Sequence, residues 1–253
     1  MQKVKILKGY VNSISLKELK KNLVNTINNN KNGYVCVSSV HSNIEAYKNS
    51  EFKNAYNSAD FVLPDGRPLY WVLKILGYKD TEHLRGEFVT RNLIDLAAEN
   101  NFAIGFFGGR KDSLNKCVIN LQKKHPKLKI PFKYTLNDYE FKNILSENNE
   151  SILDQINSSN IKVLFVGLGC PKQELWMHKN KNKLKCICIG IGAAIDFISG
   201  DKYSAPLWIQ KIGLEWFIRL ITEPKRLFWR YLTTNILFII LIFLQLTGLK
   251  KFE

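Results

Sequence analysis

The chain has 253 residues, of which 45% are hydrophobic and 23% charged; this balance is typical of a folded globular protein and excludes a disordered one. Its 37 lysines and arginines exceed its 22 aspartates and glutamates, which gives a formal net charge of +15. That charge favours an anionic partner and leaves nucleic acid, phospholipid and a diphosphate substrate open.

Strands and helices are predicted to alternate along the chain. Ser15 and Glu18 fit a capping box that opens a helix ending near Asn28. Further helices are predicted at residues 43–58, 69–76 and 88–100. Short apolar runs bounded by turn residues predict buried strands at residues 34–37, 61–63, 103–107, 163–166 and 186–191.

This repetition of strand, glycine turn and helix predicts an α/β fold, with a Rossmann-like, largely parallel sheet flanked by helices. Ligands of such a sheet bind beyond the carboxyl ends of its strands. We expect residues 1–200 to form the α/β domain and residues 201–253 to form a C-terminal helical appendage that binds membrane.

The first candidate for chemistry is Asp65, which follows a short apolar strand and precedes Gly66. A carboxylate at the end of a parallel strand, beside a glycine that permits close backbone approach, is well placed to act as a general base. Pro-Asp-Gly is also a common turn tripeptide, so a plain turn is the alternative. The position at a ligand-facing strand end favours the base.

A second candidate is the pair Gly108 and Gly109, at the junction of a strand and a helix. Such a turn exposes backbone N–H groups to a phosphate at the positive end of the helix. The pair lacks the full spacing of a dinucleotide fingerprint or of a phosphate loop. A simple tight turn therefore stays open.

Two later strand ends offer further ligand contacts. Gly169 lies in one glycine turn, and Lys172 and Gln173 follow it in the first turn of a helix, where they could reach phosphate or sugar hydroxyls. Gly192 lets a ligand approach the backbone of the next turn. Asp196 offers a carboxylate to a nucleobase or a ribose, or else caps a helix.

The C-terminal segment 231–249 carries no charged residue. Because a membrane span needs about 20 predominantly apolar residues and polar residues dilute this segment, we interpret it as an anchor that lies in or dips into the membrane. A true span and a buried core helix are the alternatives. Lys225, Trp229 and Arg230 precede the segment and are predicted to contact the membrane or a lipid-linked acceptor.

The cysteines and the N-terminus bear on the cellular compartment. Five cysteines, an odd number, predict reduced and mostly buried thiols, as is typical of a cytoplasmic protein. Residues 1–10 lack the apolar stretch of a secretory signal. We therefore expect the body of the protein to stay inside the cell.

Several blocks of sequence, in order along nearly the whole chain, carry a resemblance to a known family. They are Ala59-Asp60, Leu63-Pro64-Asp65-Gly66, Phe107-Gly108-Gly109, residues 167–174, 190–197 and 205–216, Arg219, Glu223-Pro224-Lys225-Arg226 and Arg230-Tyr231. On these residues the chain resembles the WecG/TagA/CpsF family of bacterial glycosyltransferases.

The resemblance implies an inverting transfer of a sugar from a UDP-sugar to a sugar linked to undecaprenyl diphosphate. It places the reaction at the cytoplasmic face of the membrane, in the synthesis of teichoic acid, capsule or exopolysaccharide. It implies that Asp65 takes the proton from the acceptor hydroxyl, and that Arg219 and Arg226 of the appendage neutralise the departing UDP. The family also suggests a homo-oligomer.

No Asp-x-Asp triplet of the kind that holds a metal in many sugar transferases is present. We therefore expect the reaction to need no metal and no other cofactor, with cations and backbone dipoles stabilising the leaving group. Residues at helical spacing support this independently, because Lys211, Glu215, Arg219 and Thr222 form one polar stripe. A basic collar that binds lipid headgroups is the alternative for this stripe.

Two departures from the family pattern affect the predicted donor site. Ser39 stands at the expected position of an asparagine, which leaves its contact with the donor open. The family's Glu-Arg-Val-x-Gly block reads Glu82-His83-Leu84-Arg85-Gly86, so either His83 or Arg85 serves the phosphates.

Two other classes of protein stay in view. One is a membrane-associated nucleotide-binding α/β protein of other chemistry, because a fold alone does not fix a reaction. The other is a basic, non-enzymatic adaptor for membrane or nucleic acid, whose binding would be salt-sensitive and indifferent to Asp65. We do not expect nucleic acid to be the partner.

Overall fold

The computed structural model describes residues 1–206, 209 and 213–252, and the side chains of these residues except those of Arg226 and Arg230. The predicted polar-stripe residue Lys211 lies outside the described residues. So do the side chains of Arg226 and Arg230, for which the sequence predicts roles at the site and at the membrane.

Eight strands lie in the described chain. They are β1 (Gln2–Ile6), β2 (Gly9–Ser13), β3 (Gly33–Ser38), β4 (Phe61–Pro64), β5 (Ile104–Gly108), β6 (Phe132–Tyr134), β7 (Val163–Gly167) and β8 (Ile187–Gly190). Six of them form one sheet in the order β4-β3-β8-β7-β5-β6. Every neighbouring pair in this sheet is parallel.

Ten helices up to residue 199 connect and cover the strands. They are α1 (Leu16–Asn28), α2 (Val40–Lys48), α3 (Ser50–Asn57), α4 (Arg67–Ile75), α5 (Gly86–Glu99), α6 (Lys111–Lys124), α7 (Asp138–Asn143), α8 (Glu150–Ser158), α9 (Lys172–Asn180) and α10 (Ala194–Ser199). Two later helices are named here by position: the cover helix (Glu215–Thr222) and the C-terminal helix (Pro224–Leu246).

The strands are apolar on both faces, because helices cover both sides of the sheet. Successive side chains of a strand point to opposite faces. Phe106 accordingly stacks on Phe165 on one face, with ring centroids 5.4 Å apart, and Phe107 packs on Trp176 on the other at 4.6 Å. Helices α1, α5, α6 and α10 cover the first face, and α2, α3, α8 and α9 cover the second.

The predicted fold class is confirmed, and so are the five predicted strands and the helix that ends at Asn28. The single helix predicted at residues 43–58 is wrong: two helices meet at Asn49, whose side-chain oxygen accepts a hydrogen bond from Phe52 N at 3.0 Å and caps the second. The five cysteines are free, and four of them are buried, as predicted.

The sequence did not predict the antiparallel hairpin of β1 and β2. Fully buried Asn12 joins this hairpin to the body, because its side-chain oxygen accepts a hydrogen bond from Val62 N in β4 at 2.6 Å. The hairpin in turn offers a surface on which the end of the chain packs.

The C-terminal helix has two different faces. Phe238, Leu241 and Ile242 are buried, and the helix packs against α2. Gln245 ties its end to the hairpin: its side-chain nitrogen donates to Lys5 O at 3.0 Å, and its oxygen accepts from Leu7 N at 2.7 Å. The face that remains exposed carries Trp229, Leu232, Ile236, Ile239, Ile240, Phe243 and Leu246.

Within the described residues, Leu227–Leu246 is the one helix long and apolar enough to cross a membrane, with a mean hydropathy of 1.9. Only 29% of that stretch is buried in the protein. The docked face matches the buried core helix that the sequence left as an alternative. The other face is exposed, and the membrane anchor stays a prediction.

Candidate active site

Asp65 lies where β4 ends, beside the ends of β3 and β8. Its backbone N–H donates to Ser38 O, the last residue of β3, at 2.9 Å. Its carboxylate oxygen Oδ1 accepts a hydrogen bond from Gly86 N at 2.6 Å. The carboxylate therefore sits at the ligand-facing edge of the sheet, as the sequence predicts for a base.

The contact with Gly86 has a local cause. Helix α5 begins at Gly86, and its N-cap residue Arg85 supplies no side-chain hydrogen bond to the first turn. Asp65 fills that role from another part of the chain, and a carboxylate is favoured there by the helix dipole. A Cβ atom on Gly86 would lie 3.8 Å from Asp65 Oδ1 and 3.9 Å from Ile191 O, so the carboxylate and the end of β8 flank the same point.

The surroundings of Asp65 include influences that raise its pKa and influences that lower it. Burial raises the pKa of this carboxyl, and the charge of Glu215 raises it further. The positive charges of Arg219 and Arg85 and the hydrogen bond from Gly86 lower the pKa. Burial prevails, so the pKa lies above the usual range of an aspartate. A raised pKa makes the carboxylate a stronger base.

His83 supports the backbone beside Asp65 rather than carrying charge. Its Nε2 hydrogen-bonds to Asp65 O, so the imidazole must donate there. Burial lowers the pKa of His83 to about 4, and the nearby charges of Arg67 and Arg85 act in the same direction. The ring is therefore neutral at neutral pH, and of the two residues left open by the sequence Arg85 is the cation.

Glu215 of the cover helix joins two arginines at this site. Its Oε2 lies 3.2 Å from Arg85 Nη1, and its Oε1 lies 2.7 Å from Arg219 Nη2. The guanidinium of Arg219 also lies over the ring of Phe197, 5.2 Å from the centroid. Burial lowers the pKa of Arg219, but the charges of Glu215 and then of Asp65 outweigh it, so the pKa is raised. Asp65, Arg85 and Arg219 thus form one cluster, built from the sheet edge and the cover helix.

Sequence reasoning missed Arg67 as a member of this cluster. It is the first residue of α4, two positions after Asp65, and its charge acts on His83. Gly213, just before the cover helix, packs on it: a Cβ atom there would lie 3.6 Å from Arg67 Cγ and 3.4 Å from Trp71 Cζ2. The signal in the sequence was an arginine two residues after the candidate base, at the positive end of a helix.

The glycine turns after β5, β7 and β8 form a second group. Gly109 N donates to Gly167 O at 3.1 Å, and a Cβ atom on Gly167 would lie 3.3 Å from Gly192 O. Gly108, Gly109, Gly169 and Gly192 all have positive φ, between 52° and 95°, which glycine adopts without strain. The chain leaves β5 toward β6 and β7 toward β8, in opposite directions, and such a switch point is where parallel sheets bind ligands.

The side chains of Gln173 and Lys172 point to different parts of the structure. Gln173 is buried, and its side-chain oxygen accepts hydrogen bonds from Gly169 N at 3.2 Å and Gly192 N at 3.0 Å. Lys172 points to α7 instead: its ammonium hydrogen-bonds to Phe141 O and lies 3.9 Å from the centroid of that residue's ring. Of these two predicted contacts, only Gln173 touches the glycine turns.

Asp196 connects the turn after β8 to the C-terminal segment. Lys202 Nζ lies 3.3 Å from Asp196 Oδ2 and 3.2 Å from Glu223 Oε1, at the start of the C-terminal helix. Arg110 Nη2 lies 4.0 Å from Asp196 Oδ1. The carboxylate lies in the first turn of α10, whose N-cap is Ala193 without a side-chain hydrogen bond, so the alternative that Asp196 caps a helix is wrong. Two cations, Lys202 and Arg110, balance its charge.

The remaining predicted residues lie around these groups. Ser39 is the N-cap of α2, where its hydroxyl accepts from Ser42 N at 3.4 Å, and the Cα of Ser39 lies beside Gly66. Lys225 is exposed, and Trp229 is 68% exposed on the outward face of the C-terminal helix. Within residues 1–206, 209 and 213–252, no cluster of three His, Cys, Asp or Glu side chains is suited to hold a metal ion.

The chain is similar to known proteins over most of its length. The model of the family described as "Glycosyl transferase WecG/TagA/CpsF family" matches residues 4–252. A protein of Bacillus spizizenii named N-acetylglucosaminyldiphosphoundecaprenol N-acetyl-beta-D-mannosaminyltransferase is 26% identical over 205 residues, which are 81% of this chain and 76% of that protein.

Two further relatives have the same name. The one from Bacillus subtilis is 26% identical over 182 residues, which are 72% of this chain and 68% of the relative. The one from Staphylococcus aureus is 22% identical over 173 residues, which are 68% of this chain and 65% of the relative.

Proposed function

Because this chain belongs to the WecG/TagA/CpsF family of glycosyltransferases, we propose that it transfers a sugar from a UDP-sugar to a sugar linked to undecaprenyl diphosphate, with inversion at the anomeric carbon. The names of the relatives give N-acetylmannosamine as the transferred sugar and N-acetylglucosaminyldiphosphoundecaprenol as the acceptor. These two are the first substrates to test. The product would serve the synthesis of teichoic acid, capsule or exopolysaccharide.

The observation that carries this proposal is the cluster of Asp65, Arg85 and Arg219 at the carboxyl edge of the sheet. Transfer needs a base for the acceptor hydroxyl and positive charge for the leaving diphosphate. The cluster supplies both within one site, next to glycine turns at a switch point of the sheet.

Asp65 acts as the base in the proposed reaction. Its carboxylate takes the proton of the acceptor hydroxyl while that oxygen forms a bond to the anomeric carbon of the donor. The bond from the anomeric carbon to the diphosphate oxygen breaks, and UDP leaves with the electron pair. Attack opposite to the leaving group inverts the configuration. The hydrogen bond from Gly86 holds the carboxylate in one orientation during this step.

The negative charge that develops on UDP is stabilised by guanidinium groups. Arg219 and Arg85 share Glu215 in the structure, and a diphosphate competes with that carboxylate for their N–H groups. Arginine suits this task because its planar fork matches two phosphate oxygens. The resemblance to the family adds Arg226 to the residues that stabilise the leaving UDP. The turns at Gly108 and Gly169 receive the nucleotide, and Asp196 accepts hydrogen bonds from its ribose or base.

The exposed face of the C-terminal helix brings the enzyme to its lipid acceptor. Large apolar side chains such as Trp229, Ile239 and Phe243 are 68%, 65% and 60% exposed, and a helix of this kind lies in the membrane interface. Lys225 before this face, together with Lys250 and Lys251 after it, favours anionic phospholipid at the cytoplasmic face. Only one face is available to lipid because the other is docked on α2.

The experiment is a transfer assay with the full chain in detergent or anionic lipid. N-Acetylglucosaminyl diphosphate on a synthetic polyprenol is offered with UDP-N-acetylmannosamine and with a panel of other UDP-sugars, and products are read by mass spectrometry. We expect the acceptor to gain the mass of one sugar and one equivalent of UDP to be released. Absence of transfer from every UDP-sugar, with the acceptor recovered intact, would contradict the proposal.

A further inference from the structure

Two adjacent residues at the start of α9 are buried beneath the glycine turns. Gln173 is 3% exposed and Glu174 is 1% exposed. A buried carboxyl at this depth is costly, and burial raises the pKa of Glu174 to about 7. The proposed reaction does not use Glu174, so its position there calls for a physical explanation.

The side chain of Gln173 bridges the turn after β7 and the turn after β8 by hydrogen bonds. Its Oε1 accepts one hydrogen bond from Gly169 N, after β7, and a second from Gly192 N, after β8. Both glycine N–H groups are therefore directed at this side chain. The spacing of the two turns is fixed by a single oxygen atom, which lies 3.2 Å and 3.0 Å from the two nitrogens.

Glu174 sets the orientation of the Gln173 amide. Gln173 Nε2 donates to Glu174 Oε1 at 2.9 Å. Glu174 Oε1 can accept this bond whether the carboxyl group is charged or carries a proton on its other oxygen, so the NH₂ end of the amide faces Glu174 and the amide oxygen faces the glycines. With the amide reversed, two N–H groups of the glycines would meet the N–H groups of the amide, and buried donors would be left unpaired.

The surroundings leave the amide little room. A Cβ atom on Gly190 would lie 2.9 Å from Gln173 Nε2 and 2.9 Å from Met177 Cε, closer than real Cβ atoms approach. A side chain at the last residue of β8 would therefore displace the ends of the Gln173 and Met177 side chains, and glycine leaves the Gln173 amide where it is. Gly190, Gln173 and Glu174 together form one unit beneath the switch point.

We propose that Glu174 is a positioning residue for donor binding: by orienting the amide of Gln173 it holds the turns after β7 and β8 at the separation that a nucleoside diphosphate needs. The proposal rests on the proposed function for the identity of the ligand. It concerns the placement of the turns, whereas Asp65 and the arginines perform the chemistry.

Two variants of Glu174 separate this role from a general contribution to stability. Glu174→Gln keeps an oxygen that can accept from Gln173 Nε2, whereas Glu174→Met keeps the length of the side chain and removes the acceptor. We expect Glu174→Gln to bind UDP within about twofold of the wild type in calorimetry. Glu174→Met should raise the Kd for UDP about tenfold, which corresponds to about 1.4 kcal/mol, at a temperature well below the melting transitions of all three proteins.

A reciprocal exchange tests the geometry further. Gln173→Glu places two carboxyls side by side and should weaken UDP binding. In the double variant Gln173→Glu with Glu174→Gln, the carboxylate at position 173 can accept from both glycine N–H groups and from the amide NH₂ group at position 174. The double variant should therefore recover most of the lost affinity for UDP. A double variant no better than Gln173→Glu alone would overturn the proposal.

A second measurement needs no nucleotide. Amide hydrogen exchange at Gly169 and Gly192 in the free protein should be at least about tenfold faster in Glu174→Met than in the wild type, and unchanged in Glu174→Gln. Equal exchange in all three proteins would overturn the orienting role of Glu174. Unchanged UDP affinity in Glu174→Met would overturn its role in donor binding. If the wild type binds no UDP and transfers no sugar, the proposed function falls instead, and the exchange data still decide the orienting role.

Discussion

The sheet edge and the C-terminal segment hold their parts of the site by different means. At the sheet edge, Asp65 donates its backbone N–H to Ser38 O and accepts a hydrogen bond from Gly86 N at its carboxylate, and buried Gln173 fixes the turns after β7 and β8. The cover helix is joined to this edge through Glu215, which pairs with Arg85 through side chains that are 16% and 19% exposed. Lys202 and Glu223 form a similar, partly exposed pair.

This difference separates two requirements of the reaction. Asp65 and the turns after β7 and β8, which are the proposed base and donor site, are built into a parallel sheet that is buried on both faces, so we expect their placement to survive changes in the solvent. The cation from the cover helix, Arg219, arrives on an element attached by ion pairs, which weaken as salt is added. The site should therefore be complete only when the C-terminal segment is docked.

The largest effect is expected at the sheet edge, from Asp65→Asn. The asparagine oxygen can still accept from Gly86 N, so the fold and UDP binding should be retained. Loss of the base should lower kcat by about 10²- to 10⁴-fold. Steady-state kinetics with a UDP-binding control measure this, and Asp138→Asn, an exposed acid in α7, is the matched variant. Turnover near that of the wild type would remove Asp65 as the base.

A smaller loss is expected from the cover helix, in Arg219→Ala. Removing one charge that stabilises the leaving group should cost about 10²-fold in kcat. Arg219→Lys keeps the charge without the fork and should recover part of the rate. Lys183→Ala, which removes a cation paired with Glu150 at 3.5 Å, is the control. Equal rates for Arg219→Ala and this control would separate the cover helix from catalysis.

The next largest effect is expected from the exposed face of the C-terminal helix, which is the proposed lipid-binding face. Ile239→Asp with Ile240→Asp places charge on the exposed face and leaves buried Phe238 and Leu241 untouched. Because each isoleucine contributes about 1.5 to 3 kcal/mol on full burial, binding to phosphatidylglycerol vesicles should fall at least tenfold in flotation assays. Ile119→Asp is the matched control, since Ile119 is 51% exposed in α6 and Ile240 is 52% exposed. A loss of the same size in that control would contradict a specific lipid-binding face.

The smallest effect concerns stability and pH. The pKa of Asp65 is raised in the folded protein, so the folded state binds this proton more tightly than the unfolded chain does. The contribution of Asp65 to stability is therefore present below the unfolded pKa and is lost as pH rises through the folded pKa. Asp65→Asn should melt a few degrees above the wild type at pH 8 and close to it at pH 4. Calorimetric scans at the two pH values measure this, and the reverse order would contradict the raised pKa.

Local patterns predicted the sheet edge better than the C-terminal segment. Buried strands that end in glycine or Pro-Asp-Gly leave a signal within ten residues, which is why Asp65 and the turns at Gly108 and Gly169 were identifiable. Their mutual contacts were not, because they join strands that are distant in sequence. Gln173 looked like a ligand contact, and the structure gives its oxygen to Gly169 and Gly192.

The environment of the C-terminal helix could not be predicted from the sequence for a related reason. An apolar run predicts burial without saying whether protein or lipid provides it. Here one face of the helix packs on the protein and the other is exposed; contact of the exposed face with lipid is part of the proposed function. The informative residue was Gln245, a polar side chain late in the run, which marks the docked face by its hydrogen bonds to β1 and Leu7. Glu215 was visible only as part of a polar stripe, whereas its pairing with Arg85 required the fold.

The pH dependence of kcat/KM tests most directly whether the two regions form one site. The wild type should lose activity as pH falls through an acid limb that lies above the usual pKa of an aspartate, because burial raises the pKa of Asp65. Arg219→Ala removes the strongest positive influence on that carboxyl, so its acid limb should move to still higher pH, and Arg219→Lys should move it less. An acid limb at the same pH in the wild type and Arg219→Ala would contradict a shared site for the carboxylate and the cover helix.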